Sequence, residues 1–94
     1  MTPRTTPMKL QGRPGVLVKT PFSDAFLLQI KAMVPRSDRW WNEHAKGWWV
    51  AIPHRDVVEH IVREVFGTYE LEDEDGEVVT YTPAGEALRQ EALF

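Results

Sequence analysis

All four tryptophans of this chain lie within one stretch of ten residues, and this stretch limits the possible folds more than any other feature. The pairs Trp40-Trp41 and Trp48-Trp49 flank a short polar segment that contains Gly47. Aromatic runs on either side of a few polar residues are typical of two strands joined by a short loop. The stretch therefore predicts a β-hairpin.

The pairing of this hairpin predicts which face each tryptophan occupies. Facing residues of a hairpin keep a constant index sum, which gives three pairs: Asn42 with Gly47, Trp41 with Trp48, and Trp40 with Trp49. Because side chains alternate between faces, one face carries Trp41, Trp48, Val50 and Ile52. That face is apolar enough to be covered by helices. Trp40 and Trp49 are then expected on the opposite face.

The patterns around the hairpin predict a small α+β domain with an antiparallel or mixed sheet and two to three helices, in the order β-α-β-β-α-(β-β)-α. The first strand is Val16–Lys19. The first helix takes Thr20 as its cap and Pro21 in its first turn, and it ends before Pro35. Its apolar positions recur at three- and four-residue steps: Phe22, Phe26, Ile30, Met33 and Val34.

The second half of the chain predicts a helix, an acidic hairpin and a last helix. The first of these helices follows Pro53 and ends at Gly67, and its apolar face is Val57, Val58, Ile61, Val62, Val65 and Phe66. A hairpin over Tyr69–Tyr81 turns at Asp75-Gly76, a dipeptide suited to positive φ angles. Thr82-Pro83 then begins a last helix, with an apolar side of Ala84, Ala87, Leu88 and Ala92.

Ninety-four residues are expected to form one domain. The first fifteen residues contain three prolines and three basic residues, a composition typical of a mobile segment. We therefore expect a flexible basic arm over 1–15 and a single α+β domain over 16–94. Within that domain, 16–66 forms the core, and 67–94 adds the acidic hairpin and the last helix.

The net charge of −3 hides a division along the chain. Up to Arg55 there are nine Lys/Arg and three Asp/Glu, a balance of +6, and the remainder has two against eleven, a balance of −9. Such asymmetry indicates a basic surface that suits an anionic partner and an acidic surface that repels one. Two ordinary solvated faces are the other interpretation.

Several kinds of chemistry are excluded or disfavoured by the sequence. The chain has no cysteine, which removes disulfides, thiolate metal sites and a cysteine nucleophile. Neither Ser23 nor Ser37 lies in a nucleophile motif, the three histidines lack zinc-site spacing, and no glycine-rich phosphate loop is present. The acidic run over 72–77 departs from a calcium loop at Leu71 and Thr82. We expect no enzyme activity, no metal and no cofactor.

The predicted localisation follows from the absence of cysteine and from hydropathy. The sequence contains no signal peptide and no apolar stretch of about 20 residues, the length of a membrane span. We therefore expect a cytoplasmic protein with no membrane partner.

The outer face of the tryptophan hairpin suggests a binding surface. Trp40 and Trp49 are expected there beside Leu17 and Lys19 of the first strand. An open sheet with aromatic rings and a cation is suited to stacking nucleic-acid bases. The residues expected to meet phosphates are Lys19, Lys31, Arg36, Arg39, Lys46 and Arg55. The alternative is that the last helix or a second copy of the chain covers both rings.

The hairpin also resembles a known family. The segments Arg39-Trp40-Trp41-Asn42 and Trp48-Trp49-Val50, with Lys46, Pro53 and the preceding segment 31–35, are similar to the HARP domain found beside the motor of annealing helicases. The likeness covers 16–66, about half the chain. It implies a non-catalytic sheet-and-helix module that helps recognise junctions of single- and double-stranded DNA. Its matching positions here are Lys31, Arg39, Trp41, Lys46 and Trp48.

Two features depart from that family: no helicase motor accompanies the domain, and an acidic segment follows from Glu70 onward. The sequence therefore supports two functions. The first is a nucleic-acid-binding accessory module for single-stranded or forked DNA. The second is a regulatory protein-interaction domain whose acidic hairpin imitates a polyanion or docks on a basic surface. The sequence does not set the oligomeric state.

Overall fold

A computed structural model describes residues 2–82 and the short strand at 87–89. Two helices are present, α1 (Asp24–Met33) and α2 (Arg55–Phe66). The strands are β1 (Arg4–Leu10), β2 (Arg13–Lys19), β3 (Arg39–Asn42), β4 (Gly47–Ala51), β5 (Tyr69–Glu72), β6 (Val78–Tyr81) and β7 (Ala87–Arg89). Single 3-10 turns lie at Arg36–Asp38 and Ile52–His54.

The strands form one mixed sheet in the order β3-β4-β2-β1-β5-β6-β7. β1 pairs with β5 in parallel, and every other neighbouring pair is antiparallel. The prediction of a small α+β fold with a mixed sheet and helices is confirmed. The predicted element order is only partly correct, because it lacks β1 and ends in a helix.

Both helices pack on one face of the sheet, which we call the inner face. The apolar stripes of α1 and α2 meet alternate residues of the central strands there, as two-layer packing requires. The buried cluster consists of Val16, Val18, Phe26, Ile30, Val34, Val50, Val58, Ile61, Val62, Tyr69 and Leu71. The opposite, outer face carries no helix within the described residues. The inner face is therefore the hydrophobic core of the domain.

The prediction of a mobile arm over 1–15 is wrong. β1 pairs along its whole length with β2, and the two strands are joined by a two-residue turn in which Gln11 and Gly12 both have positive φ, of 51° and 80°. The carbonyl of Pro3 accepts a hydrogen bond from the backbone N–H of Glu70. Because backbone groups alternate in direction along a strand, the backbone nitrogen of Pro7 also faces the β5 side. Pairing with β5 covers only Arg4 and Thr5, so within the described residues it does not require the N–H that Pro7 lacks.

The first helix begins later than predicted. Ser23, not Thr20, is its cap, since the Ser23 hydroxyl accepts a hydrogen bond from the backbone N–H of Phe26 at 3.2 Å. The predicted apolar positions 26, 30 and 34 are buried. Phe22 lies before the helix and Met33 lies at its end, and both are exposed. The second helix ends at Gly67 as predicted, with a φ of 84° at this glycine.

The acidic hairpin is present as β5 and β6, with a glycine of positive φ at Gly76. Asp73 closes its turn, because one carboxylate oxygen accepts from the backbone N–H groups of Asp75 and Glu77. The predicted last helix is contradicted at Ala87–Arg89, which pairs with β6 as a strand. The rest of that prediction, 83–86 and 90–94, lies outside the described residues.

Candidate functional site

The register of the tryptophan hairpin is the predicted one. Three facing pairs are Asn42 with Gly47, Trp41 with Trp48, and Trp40 with Trp49. Pairing of β4 with β2 continues the alternation, and Val18 and Val50 of the core mark the inner face. Trp41 and Trp48 therefore lie on the inner face, and Trp40 and Trp49 on the outer one, as predicted.

The two outer-face tryptophans differ in exposure. Trp40 is 49% exposed, whereas Trp49 is only 1% exposed. The indole of Trp49 lies against Gly15 and donates a hydrogen bond to the carbonyl of Met8 at 3.0 Å. The guanidinium of Arg13 lies 5.3 Å from the ring centroid, within the range of a cation–π contact. The prediction that Trp49 stacks on a base is therefore wrong, because its ring is already covered.

Arg13 also ties the β1–β2 hairpin to the two 3-10 turns. It donates to a carboxylate oxygen of Asp38 at 2.8 Å and to the carbonyl of Ser37 at 3.0 Å. The other oxygen of Asp38 lies 2.7 Å from Nε2 of His54. The hydrogen bond from Arg13, and then the one from His54, lower the pKa of Asp38 below its ordinary value of 3.8. The Asp38 carboxylate thus holds the Arg13 side chain over Trp49.

This network predicts a stability that depends on pH. A carboxyl whose pKa is lowered by folding stabilises the protein above its unfolded pKa, and that contribution disappears as the pH falls through the folded pKa. We expect Asp38→Asn to lower the melting temperature at neutral pH. The difference from wild type should shrink as the pH drops below 3.8, the ordinary pKa of Asp38. Thermal unfolding followed by circular dichroism tests this, and a difference that stays constant across that range contradicts it.

The inner face ends in an open groove between the start of α1 and the tryptophan hairpin. Its volume is about 380 Å³. It is lined mainly by apolar and aromatic side chains together with one lysine: Val18, Thr20, Pro21, Phe22, Ser23, Phe26, Leu27, Trp41, Lys46, Gly47 and Trp48. Phe22 is 82% exposed and Trp41 is 40% exposed. The groove therefore offers aromatic surface to solvent on both of its sides.

The hairpin side of the groove is held by a polar cluster at its loop. Trp41 packs edge-on against Trp48, with ring centroids 5.6 Å apart. Its indole N–H donates to Glu43 at 2.6 Å, and Lys46 donates to the other oxygen of that carboxylate at 2.7 Å. The bonds from Lys46, and then from Trp41, lower the pKa of Glu43. We call Trp41, Glu43 and Lys46 the loop cluster.

Two further cations lie along the same side of the inner face. Lys31 is exposed and follows Leu27, a groove residue, by one helical turn. Arg39 precedes Trp41 by two residues on β3 and so shares its face. Its Nε atom is buried and has no hydrogen-bond partner among the described residues. Lys31 therefore lies one helical turn beyond a groove residue of α1, and Arg39 lies two residues before a groove residue of β3.

The remaining predicted site residues lie elsewhere. Lys19 is exposed on the outer face, and Arg36 is exposed in the 3-10 turn before β3. Arg55 bonds to Glu59 at 2.7 Å, and this bond raises the pKa of Arg55. Since Glu59 already compensates its charge, Arg55 is a poor phosphate ligand. Among the described residues, Lys46 is the predicted cation that lines the groove, and Lys31 and Arg39 lie on α1 and β3, two elements that contribute residues to it.

The sequence analysis missed Phe22 and Leu27 as groove residues. Phe22 had been assigned to the apolar stripe of the first helix, and its exposure follows from the helix beginning after Ser23. The sequence signal was the Ser23-Asp24 pair, a serine cap followed by an acidic first turn.

The division of charge along the chain persists across the sheet. β1 to β4 contain no acidic residue and five basic ones: Arg4, Lys9, Arg13, Lys19 and Arg39. The β5–β6 hairpin contains six acidic residues: Glu70, Glu72, Asp73, Glu74, Asp75 and Glu77. The strand order separates the basic residues from the acidic ones, because β3, β4, β2 and β1 are neighbours in the sheet and β5 and β6 follow them. The groove lies at the basic end.

Within the described part of the chain, neither helix is long and apolar enough to cross a membrane. The same residues contain no group of three histidine, cysteine or acidic side chains placed to hold a metal ion. Comparisons with protein-family models, curated proteins and solved structures find no match to this chain. The resemblance to the HARP domain therefore stays a prediction carried by the hairpin residues.

Proposed function

We propose that this chain is a non-catalytic nucleic-acid-binding module that holds single-stranded DNA, or the single strand of a fork, in the groove between α1 and the tryptophan hairpin. The observation that carries this proposal is the groove itself, which is lined by the exposed rings of Phe22 and Trp41 together with the side chain of Lys46. Stacking of a base on an aromatic ring contributes about 1–3 kcal/mol, and basic residues beside it neutralise the phosphates.

The dimensions of the groove favour an unstacked base. Its volume of about 380 Å³ lies within the range of small-ligand sites. A base that is turned out of a single strand fits such a space, whereas a base inside a duplex is already stacked on its neighbours and cannot reach the rings. Single-stranded DNA is therefore the better ligand.

The proposed surface differs from the one expected from the sequence. An outer-face site would need both Trp40 and Trp49, and Trp49 is buried. Three of the five positions that the resemblance to the HARP domain implies, Trp41, Lys46 and Trp48, line the groove on the inner face. The other two, Lys31 and Arg39, lie on α1 and β3, which contribute residues to it. This agreement supports placing the ligand in the groove.

Fluorescence anisotropy with a labelled oligothymidylate tests the proposal. We expect binding at low salt, weaker binding to a duplex of the same length, and tightest binding to a fork with a single-stranded arm. Two phosphate contacts, from Lys31 and Arg39, predict a slope of about −1.4 in log K against log salt, at about −0.7 for each phosphate neutralised on single strands. An absence of binding at low salt, or equal affinity for the duplex, contradicts the proposal.

A second candidate function is a protein-interaction domain that uses the β5–β6 hairpin. It is favoured by the strand order, which collects the acidic side chains at the end of the sheet away from the groove. Glu74 and Asp75 are exposed at the tip of this hairpin. A labelled oligolysine peptide separates the two functions. Binding that is lost in the Glu74→Gln, Asp75→Asn double variant supports the second function, and unchanged binding contradicts it.

A further inference from the structure

We infer that Glu43 is a built-in anion that occupies Lys46 in place of a DNA phosphate and so limits the affinity of the groove. This inference rests on the proposed function. Glu43 and Lys46 lie at the two ends of the loop that joins β3 to β4, and Lys46 lines the groove. A phosphate of bound DNA that approaches Lys46 therefore has to displace the Glu43 carboxylate.

The loop places Glu43 and Lys46 at a defined separation. The backbone N–H of Lys46 donates to the carbonyl of Asn42 at 2.8 Å, and that of Ala45 donates to the Asn42 side chain at 3.0 Å. Lys46 itself has a φ of 58°, in the left-handed region. Two hydrogen bonds that Asn42 accepts thus fix the turn. The ion pair between Glu43 and Lys46 follows from the shape of this turn.

Each oxygen of the Glu43 carboxylate has its own donor. One accepts from the Lys46 ammonium and the other from the Trp41 indole N–H. A phosphate also presents two anionic oxygens, so the donors that hold Glu43 are the donors that a nucleotide would use. The lowered pKa of Glu43 means that this carboxylate is charged at neutral pH. Glu43 therefore competes with phosphate.

The ion pair between Glu43 and Lys46 is exposed enough for a phosphate to replace the carboxylate. The side chain of Lys46 is 69% exposed and that of Glu43 is 76% exposed. Exposed ion pairs are weak, so the carboxylate reduces the affinity of Lys46 for a phosphate without abolishing it. The contribution of Lys46 to DNA affinity and to its salt dependence should consequently be smaller in the wild-type chain than in a chain that lacks the Glu43 carboxylate.

The substitution Glu43→Gln removes the charge and keeps an amide oxygen that can still accept from Trp41. We expect it to tighten oligothymidylate binding about three- to fivefold, the scale of one exposed ion pair. It should also steepen the slope of log K against log salt by about 0.7, the amount for one further phosphate contact on a single strand. Both changes report the release of Lys46.

Lys46→Gln is the decisive companion variant. It should reverse both changes in the Glu43→Gln background. Glu64→Gln is the matched control, since it removes one exposed acidic charge from α2, and it should leave affinity and slope as they are.

Three outcomes overturn the inference. If the wild-type chain binds and Glu43→Gln has the same affinity and the same slope of log K against log salt, the inference is contradicted and the proposed function stands. An equal gain in Glu64→Gln contradicts it as well, because the effect then belongs to net charge. A failure of every variant to bind overturns this inference together with the proposed function.

Discussion

Replacing Gly15 by alanine should lower the free energy of unfolding by about 1–3 kcal/mol, the usual cost of adding atoms to a packed interior. A Cβ atom at this position would lie 2.5 Å from Cε2 and Nε1 of the Trp49 indole and 2.5 Å from the carbonyl oxygen of Val50. The carbonyl is part of β4 and cannot move alone, and the indole is held by its hydrogen bond to Met8. Relief therefore requires the Trp49 ring to leave its site and the backbone at Val50 to shift as well.

Urea unfolding followed by tryptophan fluorescence measures this cost. The same substitution is also made in a Trp49→Phe variant, which lacks the two indole atoms that the new methyl group would meet. Gly15→Ala should cost less there than in wild type, although the contact with Val50 remains. An unchanged urea midpoint in Gly15→Ala, or an equal cost in both backgrounds, would show that Trp49 is not packed against Gly15.

Trp41→Ala should weaken binding of oligothymidylate by about 5- to 150-fold, which corresponds to the loss of about 1–3 kcal/mol of stacking on one base. Trp41 lines the groove, and its ring packs against that of Trp48. Because Trp41 is 40% exposed, its removal should disturb the core less than loss of a fully buried ring. Anisotropy titration of the folded variant gives the change in affinity.

Trp40→Ala is the control for this variant. Trp40 is the next residue on the same strand and is similarly exposed, but it lies on the outer face. We expect its removal to change affinity by less than about twofold, since it contacts neither the groove nor its cations. A larger loss in Trp40→Ala than in Trp41→Ala would move the binding surface to the outer face and would contradict the proposed site.

The hairpin was predictable from the sequence because its determinants are local. The index sum sets the register, and the pleat sets the faces, so the positions of all four indoles follow from ten residues. Exposure is not local. Trp49 is covered by Met8, Arg13 and Gly15, which precede it by more than thirty residues and reach it only after the sheet has formed.

The first strand was missed for a different reason. Three prolines and several polar residues lower the strand propensity of 1–15, and propensity was the only signal available there. The sheet tolerates Pro7 because, among the described residues, pairing of β1 with β5 covers only Arg4 and Thr5 and does not extend to Pro7. The helix start was misplaced in a similar way, because two capping residues, Thr20 and Ser23, were available, and Ser23 is used.

The charge division was predictable as a pattern, but its location was not. Which cation lines the groove depends on the elements that form it, and Arg55 is compensated by its pairing with Glu59. To predict the groove, both the start of α1 and the faces of the tryptophan hairpin must be predicted correctly. Because the predicted helix started too early, Phe22 was assigned to the helix and the groove was not predicted.

The most direct test of the proposed interface is a titration of ¹⁵N-labelled protein with oligothymidylate, following the four indole N–H resonances by NMR. We expect the Trp41 resonance to shift most and the Trp48 resonance to follow it, because both line the groove. Trp49, sealed beneath Arg13, should remain unchanged. Shifts confined to Trp40, or no shifts in any indole, would contradict the assignment of the groove as the nucleic-acid site.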